Sequence, residues 1–384
     1  MKKILLLFLI LLIPTNVLAL EINSKSGIAY NRNTKEILFE KEKDKELLVA
    51  SLTKIMTCIL ALENVNDLSE KIEITKDDIN NLDGYQVIGL KENDLITYNE
   101  LLYTNIMYSA ADSAQTIANH VFNSNEIFIN KMNELAKKIG MDNTNFSNSI
   151  GKDDNNYSSS QDISKLLDYA LNNENFYKIY TTKKYYVSSL DKNISNNINN
   201  YIKNKMLKND NIYLDGYKGG YTKKSGLSAS SISKIDDNEI IVVTIGAEDT
   251  IDTMHIEDSL NILMNIKKEY SNRVILENNV LIDNIKYNNK DYQIKSNKTI
   301  KYFMKNDLDL KYLKIFYDGK RELDKNVLEN DVIGNIKIYY KDKLLHTEEV
   351  KFTKNTIKKE KKTYTNLIIF ISICLIGLIV FRKK

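Results

Sequence analysis

Two apolar runs, one at each end of the 384-residue chain, confine the folded protein to what lies between them. At the front, Met1-Lys2-Lys3 leads into an unbroken apolar run from Ile4 to Ile13, and Val17-Leu18-Ala19 reads as a cleavage site. That order of charge, apolar run and small residue is the pattern of a secretory signal over residues 1–19, an uncleaved N-terminal anchor being the alternative. At the back, Leu367 to Phe381 is apolar apart from Ser372 and Gly377, and Arg382-Lys383-Lys384 follows. With Thr365 and Asn366 at the interface, residues 365–381 are expected to form one transmembrane helix, with 382–384 as a cytoplasmic tail. The body is therefore expected outside the cytoplasm, held to the cell membrane by its C-terminal helix.

The charge balance fits such a body. The formal net charge of +3 comes from the ends, where Lys2, Lys3 and Arg382 to Lys384 are basic and the run Lys358 to Lys362 adds three more. The remainder is mildly acidic, about −5, which argues against nucleic acid as a partner because phosphates require a basic face. With 43% hydrophobic residues, 13 Gly and 1 Pro, a collagen-like or mainly disordered chain is excluded. Of the two cysteines, Cys374 falls in the apolar tail and Cys58 in a helical pattern, so no disulfide is expected.

Residues 20–270 mix strand and helix patterns. Gly27 to Tyr30 and Glu36 to Phe39 read as short strands joined by the polar turn Asn31 to Thr34. Lys54 to Leu62 puts Ile55, Ile59 and Leu62 on one helical face. Asn99 to Phe122 reads as one long helix, Asn125 to Ile139 as another ended by Gly140, and Asp162 to Leu171 as a third. Tyr213 to Ser231 and Glu239 to Gly246 read as antiparallel strands around the turn Asp236-Asp237-Asn238, and Met254 to Tyr270 as an amphipathic helix. Beyond Tyr270 only short alternating runs occur, such as Leu313 to Tyr317 and Ile336 to Tyr340. They predict a small all-β domain over 271–355, followed by a charged spacer at 356–364.

Three places can carry chemistry. In Ala50-Ser51-Leu52-Thr53-Lys54 a serine and a lysine three apart share one helix face. Serine is a poor nucleophile until a base takes its proton, and lysine serves as that base only when burial or another cation lowers its pKa. Alone, the pair equally describes an ordinary helix N-terminus. Tyr108-Ser109-Ala110-Ala111-Asp112 offers a second hydroxyl about 55 residues further on, able to pass a proton to a leaving group or simply to ease helix packing. Asp215-Gly216-Tyr217-Lys218-Gly219-Gly220 opens a strand whose lysine can hold a carboxylate and whose glycines let a substrate lie close, though a glycine-rich strand edge reads the same way.

In this order and spacing the three elements resemble the motif set of the low-molecular-mass penicillin-binding proteins, the serine-type D-alanyl-D-alanine carboxypeptidases. The resemblance covers about Ile22 to Tyr270 and includes Gly89-Leu90-Lys91 before Asp94, Leu101-Leu102-Tyr103, and Asn145-Phe146-Ser147-Asn148 leading to Gly151. It implies an α/β domain of the serine transpeptidase/β-lactamase type, with helices packed on an antiparallel sheet, followed by the small β domain and the membrane helix. It implies Ser51 as the acyl-forming nucleophile, Lys54 as its base, Ser109 as a proton relay, and Lys218 as carboxylate binder beside Gly219 and Gly220. The oxyanion would be held by backbone N–H groups, that of Ser51 among them. The implied partners are a peptidoglycan stem peptide ending in D-Ala-D-Ala and β-lactam antibiotics, with no cofactor and no metal.

The chain departs from that pattern at two motifs. Ala111 stands where the family's Ser-x-Asn has asparagine, and Gly219 where its Lys-Thr-Gly has threonine. His255 is the best match for an arginine often found soon after that strand. A catalytically weak peptidoglycan-binding protein of the same fold is the resulting rival. A β-lactamase is a second rival, against which the membrane anchor and the β domain speak. Glu257-Asp258-Ser259-Leu260-Asn261 imitates the deacylating Glu-x-x-Leu-Asn of class A β-lactamases, but it follows Lys218 rather than preceding it, so an amphipathic helix with an exposed acid is expected. His120, His255 and His346 are scattered, and no His-x-x-x-His, Cys-x-x-Cys or Gly-x-Ser-x-Gly occurs, which argues against a zinc peptidase and an α/β-hydrolase triad.

Overall fold

A computed structural model describes residues 20–152, 154–196, 198 and 212–354. The expected signal segment, spacer, transmembrane helix and tail lie outside the described residues. Among those described, no helix is long and apolar enough to cross a membrane. The chain divides into two compact units between Ser271 and Asn272.

The first unit is built on a five-stranded antiparallel sheet. Its strands are β1 (Ser26–Asn31), β2 (Glu36–Lys41), β3 (Gly216–Thr222), β4 (Gly226–Ile235) and β5 (Asn238–Ala247), in the order β2-β1-β5-β4-β3. The early and late parts of the unit meet in the middle of this sheet, because β1 pairs with β5 from Ser26↔Ile245 to Asn31↔Ile240. The span Tyr213 to Ser231, expected as one strand, is two, because the chain reverses at Lys223–Ser225 between β3 and β4. Ser225 closes that turn by exchanging bonds with Thr222.

Around the sheet lie the helices α1 (Thr53–Asn64), α2 (Lys76–Ile79), α3 (Tyr98–Met107), α4 (Ala111–His120), α5 (Asn125–Lys138), α6 (Ser160–Ala170), α7 (Glu174–Thr181) and α8 (Met254–Glu269). Strand residues alternate between faces. Ser26 bonds to Ser160 of α6, so its cross-strand partner Ile245 and the buried Val243 and Ile241 also face that side. Thr244, pointing the other way, bonds to the His255 carbonyl of α8. The sheet is therefore covered on both faces, and its buried run from Ile240 to Ile245, aliphatic except for Thr244, reflects that.

One further expectation is corrected by the structure. Asn99 to Phe122 is not one helix. The Thr104 carbonyl accepts both Tyr108 N–H and Ala110 N–H, at 3.1 Å each, and Ser109 takes a left-handed φ of 60°. The Ala111 N–H then turns to the Gln86 carbonyl at 2.7 Å, and α4 starts afresh. In α8 the acid of the Glu-x-x-Leu-Asn look-alike, Glu257, is part-buried and accepts from the Thr253 hydroxyl at 3.1 Å. Asp258 is fully buried, with its carboxylate accepting the backbone N–H groups of Asn23 and Ser24 and the Ser24 hydroxyl, which ties α8 to the start of the domain. The one-turn helix α2 and helix α7 have no counterpart in the sequence pattern; the Asn173 side chain caps α7.

Apart from a one-turn 3-10 helix at Leu310–Tyr312, the second unit is all β within the described residues. Tyr270–Leu276 pairs with Ile300–Lys305, Leu281–Tyr287 with Lys290–Lys295 and Glu322–Leu323, and Val332–Tyr340 with Leu313–Gly319 and Lys343–Lys351. Ile285, Ile294, Tyr317, Ile336, Ile338 and Phe352 belong to its own buried core.

Candidate active site

Ser51 lies in a 3-10 turn, Ala50–Leu52, directly ahead of α1. Ala50 takes a positive φ of 45°, a conformation that non-glycine residues adopt at a cost and that recurs at functional sites. Lys54, one turn on, is 1% exposed, and its Nζ donates to Ser51 Oγ at 3.0 Å and to the Ile150 carbonyl at 3.0 Å. Asn148 shapes the loop that offers this carbonyl: its side-chain oxygen accepts the N–H groups of Ile150, Gly151 and Lys152. The run from Asn145 to Gly151, a secondary feature in the sequence, thus holds the second partner of the lysine.

The break between α3 and α4 brings in Ser109. Its Oγ accepts from Lys218 Nζ at 2.8 Å, and the same amine donates to the Gly219 carbonyl at 2.7 Å. Burial lowers the Lys54 amine to about 7, against a smaller opposing pull from Asp112. Burial, and then the charge of Lys54, hold Lys218 well below the ordinary lysine value. A neutral amine beside a serine hydroxyl is a proton acceptor, so the pair Ser51–Lys54 has the chemistry of a nucleophile and its base.

Gly220 sets how near the edge strand comes. A β-carbon there would sit 3.0 Å from Ser51 N and 3.1 Å from the Val49 carbonyl, so a side chain would push β3 away from the serine turn. Asp112 organises the opposite wall. Its carboxylate accepts from Ile88, Gly89 and Leu90 N–H as well as its neighbour Ser113 N–H, fixing the loop of Tyr85 and Gln86. Ala111 leaves a buried methyl beside Leu82, Ala114 and Ile150 where the resemblance would put an amide.

All six residues singled out from the sequence come together. Ser51, Lys54, Ser109, Lys218, Gly219 and Gly220 line one cleft of about 790 Å³, open along β3, whose outer edge has no strand partner among the described residues. Two further lining residues gain meaning only in three dimensions. Tyr217 projects to the α8 side of the sheet, and its hydroxyl lies 2.8 Å from His255 Nε2. The sequence hint for Tyr217 is its place beside Lys218 and a glycine, but nothing local pairs it with a residue 38 positions away.

A sheet sandwiched by helices, with a serine–lysine pair at a helix start and a second lysine on the edge strand, defines the penicillin-binding protein class of serine acyl-transfer folds. Penicillin binding protein 5 from Haemophilus influenzae superposes on 86% of this chain and 97% of its own, with a TM-score of 0.66 at 20% identity. A peptidoglycan synthesis regulatory factor, PBP3 of Streptococcus pneumoniae, covers 87% and 98%, with a TM-score of 0.69 at 18% identity. Residues 13–249, more than half of the chain, match the D-alanyl-D-alanine carboxypeptidases of peptidase family S11, and the chain belongs to that family. Among curated relatives, the D-alanyl-D-alanine carboxypeptidase DacF of Bacillus subtilis is 29% identical over 231 residues, 58% of this chain and 57% of its own. A D-alanyl-D-alanine endopeptidase of Haemophilus influenzae is 30% identical over 230 residues, 59% of this chain and 75% of its own.

Proposed function

We propose that the chain is a serine-type D-Ala-D-Ala carboxypeptidase, anchored to the cell membrane by its C-terminal segment, with its catalytic domain outside the cytoplasm. Membership of the family supports the reaction. The observation that carries it to named residues is the 3.0 Å contact between Lys54 Nζ and Ser51 Oγ inside the cleft. The anchor and the location rest on the two apolar ends of the sequence alone.

In this reading the stem peptide lies along the open edge of β3. Ser51 Oγ attacks the carbonyl carbon of the penultimate D-alanine while its proton passes to Lys54. The Ser51 N–H, which Gly220 lets the strand approach closely, faces the developing oxyanion. The tetrahedral intermediate then breaks its C–N bond. Free D-alanine leaves with the proton that Lys54 took, handed on through Ser109, which Lys218 holds by a hydrogen bond, so Lys54 is neutral again and Ser51 keeps the acyl group as an ester. Water hydrolyses that ester and returns the enzyme. A β-lactam would acylate the same oxygen, with its ring nitrogen as the tethered leaving group.

Ala111 favours a second reading. With a methyl in place of the expected amide, the fold would acylate slowly and act mainly by binding peptidoglycan. Release of D-alanine from a pentapeptide stem separates the two. The carboxypeptidase reading expects release by the wild type and none by Ser51→Ala. Equal release by both proteins would overturn it, and intact substrate with either protein would favour the binding reading.

A further inference from the structure

We propose that Tyr217 is a substrate-binding residue whose hydroxyl, oriented by His255, takes the place of a side chain at position 219 and donates to the terminal carboxylate of the substrate. The proposal rests on the carboxypeptidase reading and adds a residue that the motif pattern does not contain.

The geometry is specific. Tyr217 and Gly219 project from the same face of β3, since they pair with Ser231 and Ala229 while Lys218 and Gly220 face the other way. A β-carbon built on Gly219 would lie 2.5 Å from the Tyr217 hydroxyl oxygen and 3.2 Å from the ring carbon that bears it. The ring thus folds over residue 219, and its hydroxyl fills the volume a side chain there would use. Both residues line the cleft with Ser51, Lys218 and His255. The bare glycine and the tyrosine two residues earlier form one arrangement, because the tyrosine fits only where the side chain is missing.

His255 decides which way the hydroxyl points. Its Nε2 is 2.8 Å from the Tyr217 oxygen, and its Nδ1 is buried with no hydrogen-bond partner among the described residues. A proton on Nδ1 would bury an orphan donor, whereas a proton on Nε2 leaves only a lone pair unmet, which proteins tolerate better. The hydrogen-bond pattern therefore assigns the proton to Nε2. The ring donates to the tyrosine oxygen, and the tyrosine O–H is left to donate into the cleft. Burial holds His255 down at about 4, so the ring is neutral at physiological pH. Burial also pushes the Tyr217 phenol up, so it stays protonated. The pair presents a fixed neutral donor to the cleft that Lys218 also lines, suited to a carboxylate.

The test compares acylation of the purified protein by benzylpenicillin, which carries a carboxylate, with acylation by its methyl ester, followed by intact mass. The readout is the ratio of the two rates, which a general loss of structure does not move. In Tyr217→Phe the preference for the free acid should shrink about 10- to 100-fold, the worth of one hydrogen bond to a charged group. The swap Tyr217→Leu with Gly219→Thr should restore most of it by returning a hydroxyl to position 219. A ratio unchanged in Tyr217→Phe, or not recovered in the swap, overturns the proposal while leaving the carboxypeptidase reading in place. A wild type that is not acylated by benzylpenicillin at all removes that reading, and this proposal with it.

Discussion

Gly151 and Ala50 are in contact through their backbones: a β-carbon on Gly151 would lie 1.9 Å from the Ala50 carbonyl oxygen. Gly151 also holds a left-handed φ of 82°, and its neighbour Ile150 supplies the carbonyl that receives Lys54. The loop after α5 is thereby pressed against the turn that carries Ser51. Gly151→Ala combines a backbone clash with a strained φ that alone costs about 1–3 kcal/mol. Thermal denaturation should show that loss. Acylation should fall further than stability does, because the clash displaces Ser51 directly.

Gly220→Ala probes the other side of the same turn. Its added methyl meets Ser51 N at 3.0 Å and the Val49 carbonyl at 3.1 Å, both backbone atoms that yield little. The edge strand must retreat by a few tenths of an ångström. A full ångström of misplacement at a reacting centre costs about 100-fold, so a few tenths should lower the rate by about 10-fold or less. Stopped-flow acylation should show that drop with the thermal midpoint nearly unchanged.

The state of Lys54 sets the pH dependence. Its amine is lowered to about 7, so below that pH the ammonium has no lone pair for the Ser51 proton. The acylation rate should rise about tenfold per pH unit below 7 and level off above it. Stability follows the same sign. Between about 7 and about 10 the unfolded lysine binds a proton that the folded one does not, so stability rises with pH across that window. Denaturant midpoints at the two ends of the window check this, with Lys54→Met lowering the slope and leaving the part due to the likewise depressed Lys218.

Asp112→Asn tests the opposite wall. The carboxylate accepts four N–H groups, two on each oxygen. An amide would turn its own donors toward two of them. Leaving buried donors unmet costs about 1–3 kcal/mol. The melting temperature should fall accordingly, and benzylpenicillin acylation should slow as the Tyr85–Gln86 loop loses its anchor.

Much of this architecture was legible in the sequence, for reasons that can be located. The Ser51–Lys54 pair is local, three residues apart on one helical turn, so periodicity alone predicts their contact. The β1–β2 hairpin, α5 with its Gly140 stop, and α8 were equally readable, because apolar spacing and turn residues sit within one window. The break at Ser109 was not. No glycine or proline marks it, and it depends on the Thr104 carbonyl taking two donors while Gln86 takes the next. The burial of Asp258 and the pairing of Tyr217 with His255 escaped for a related reason. Each is decided by a partner far along the chain, Asn23 and Ser24 in one case and α8 in the other.

Ser51 as the acylated residue is the central claim. Intact-mass spectrometry of the purified protein after incubation with benzylpenicillin, with Ser51→Ala alongside, tests it most directly. A single stable penicilloyl adduct on the wild type and none on Ser51→Ala is the predicted result. An adduct of equal yield on both proteins, or none on the wild type while the antibiotic stays intact, would contradict it.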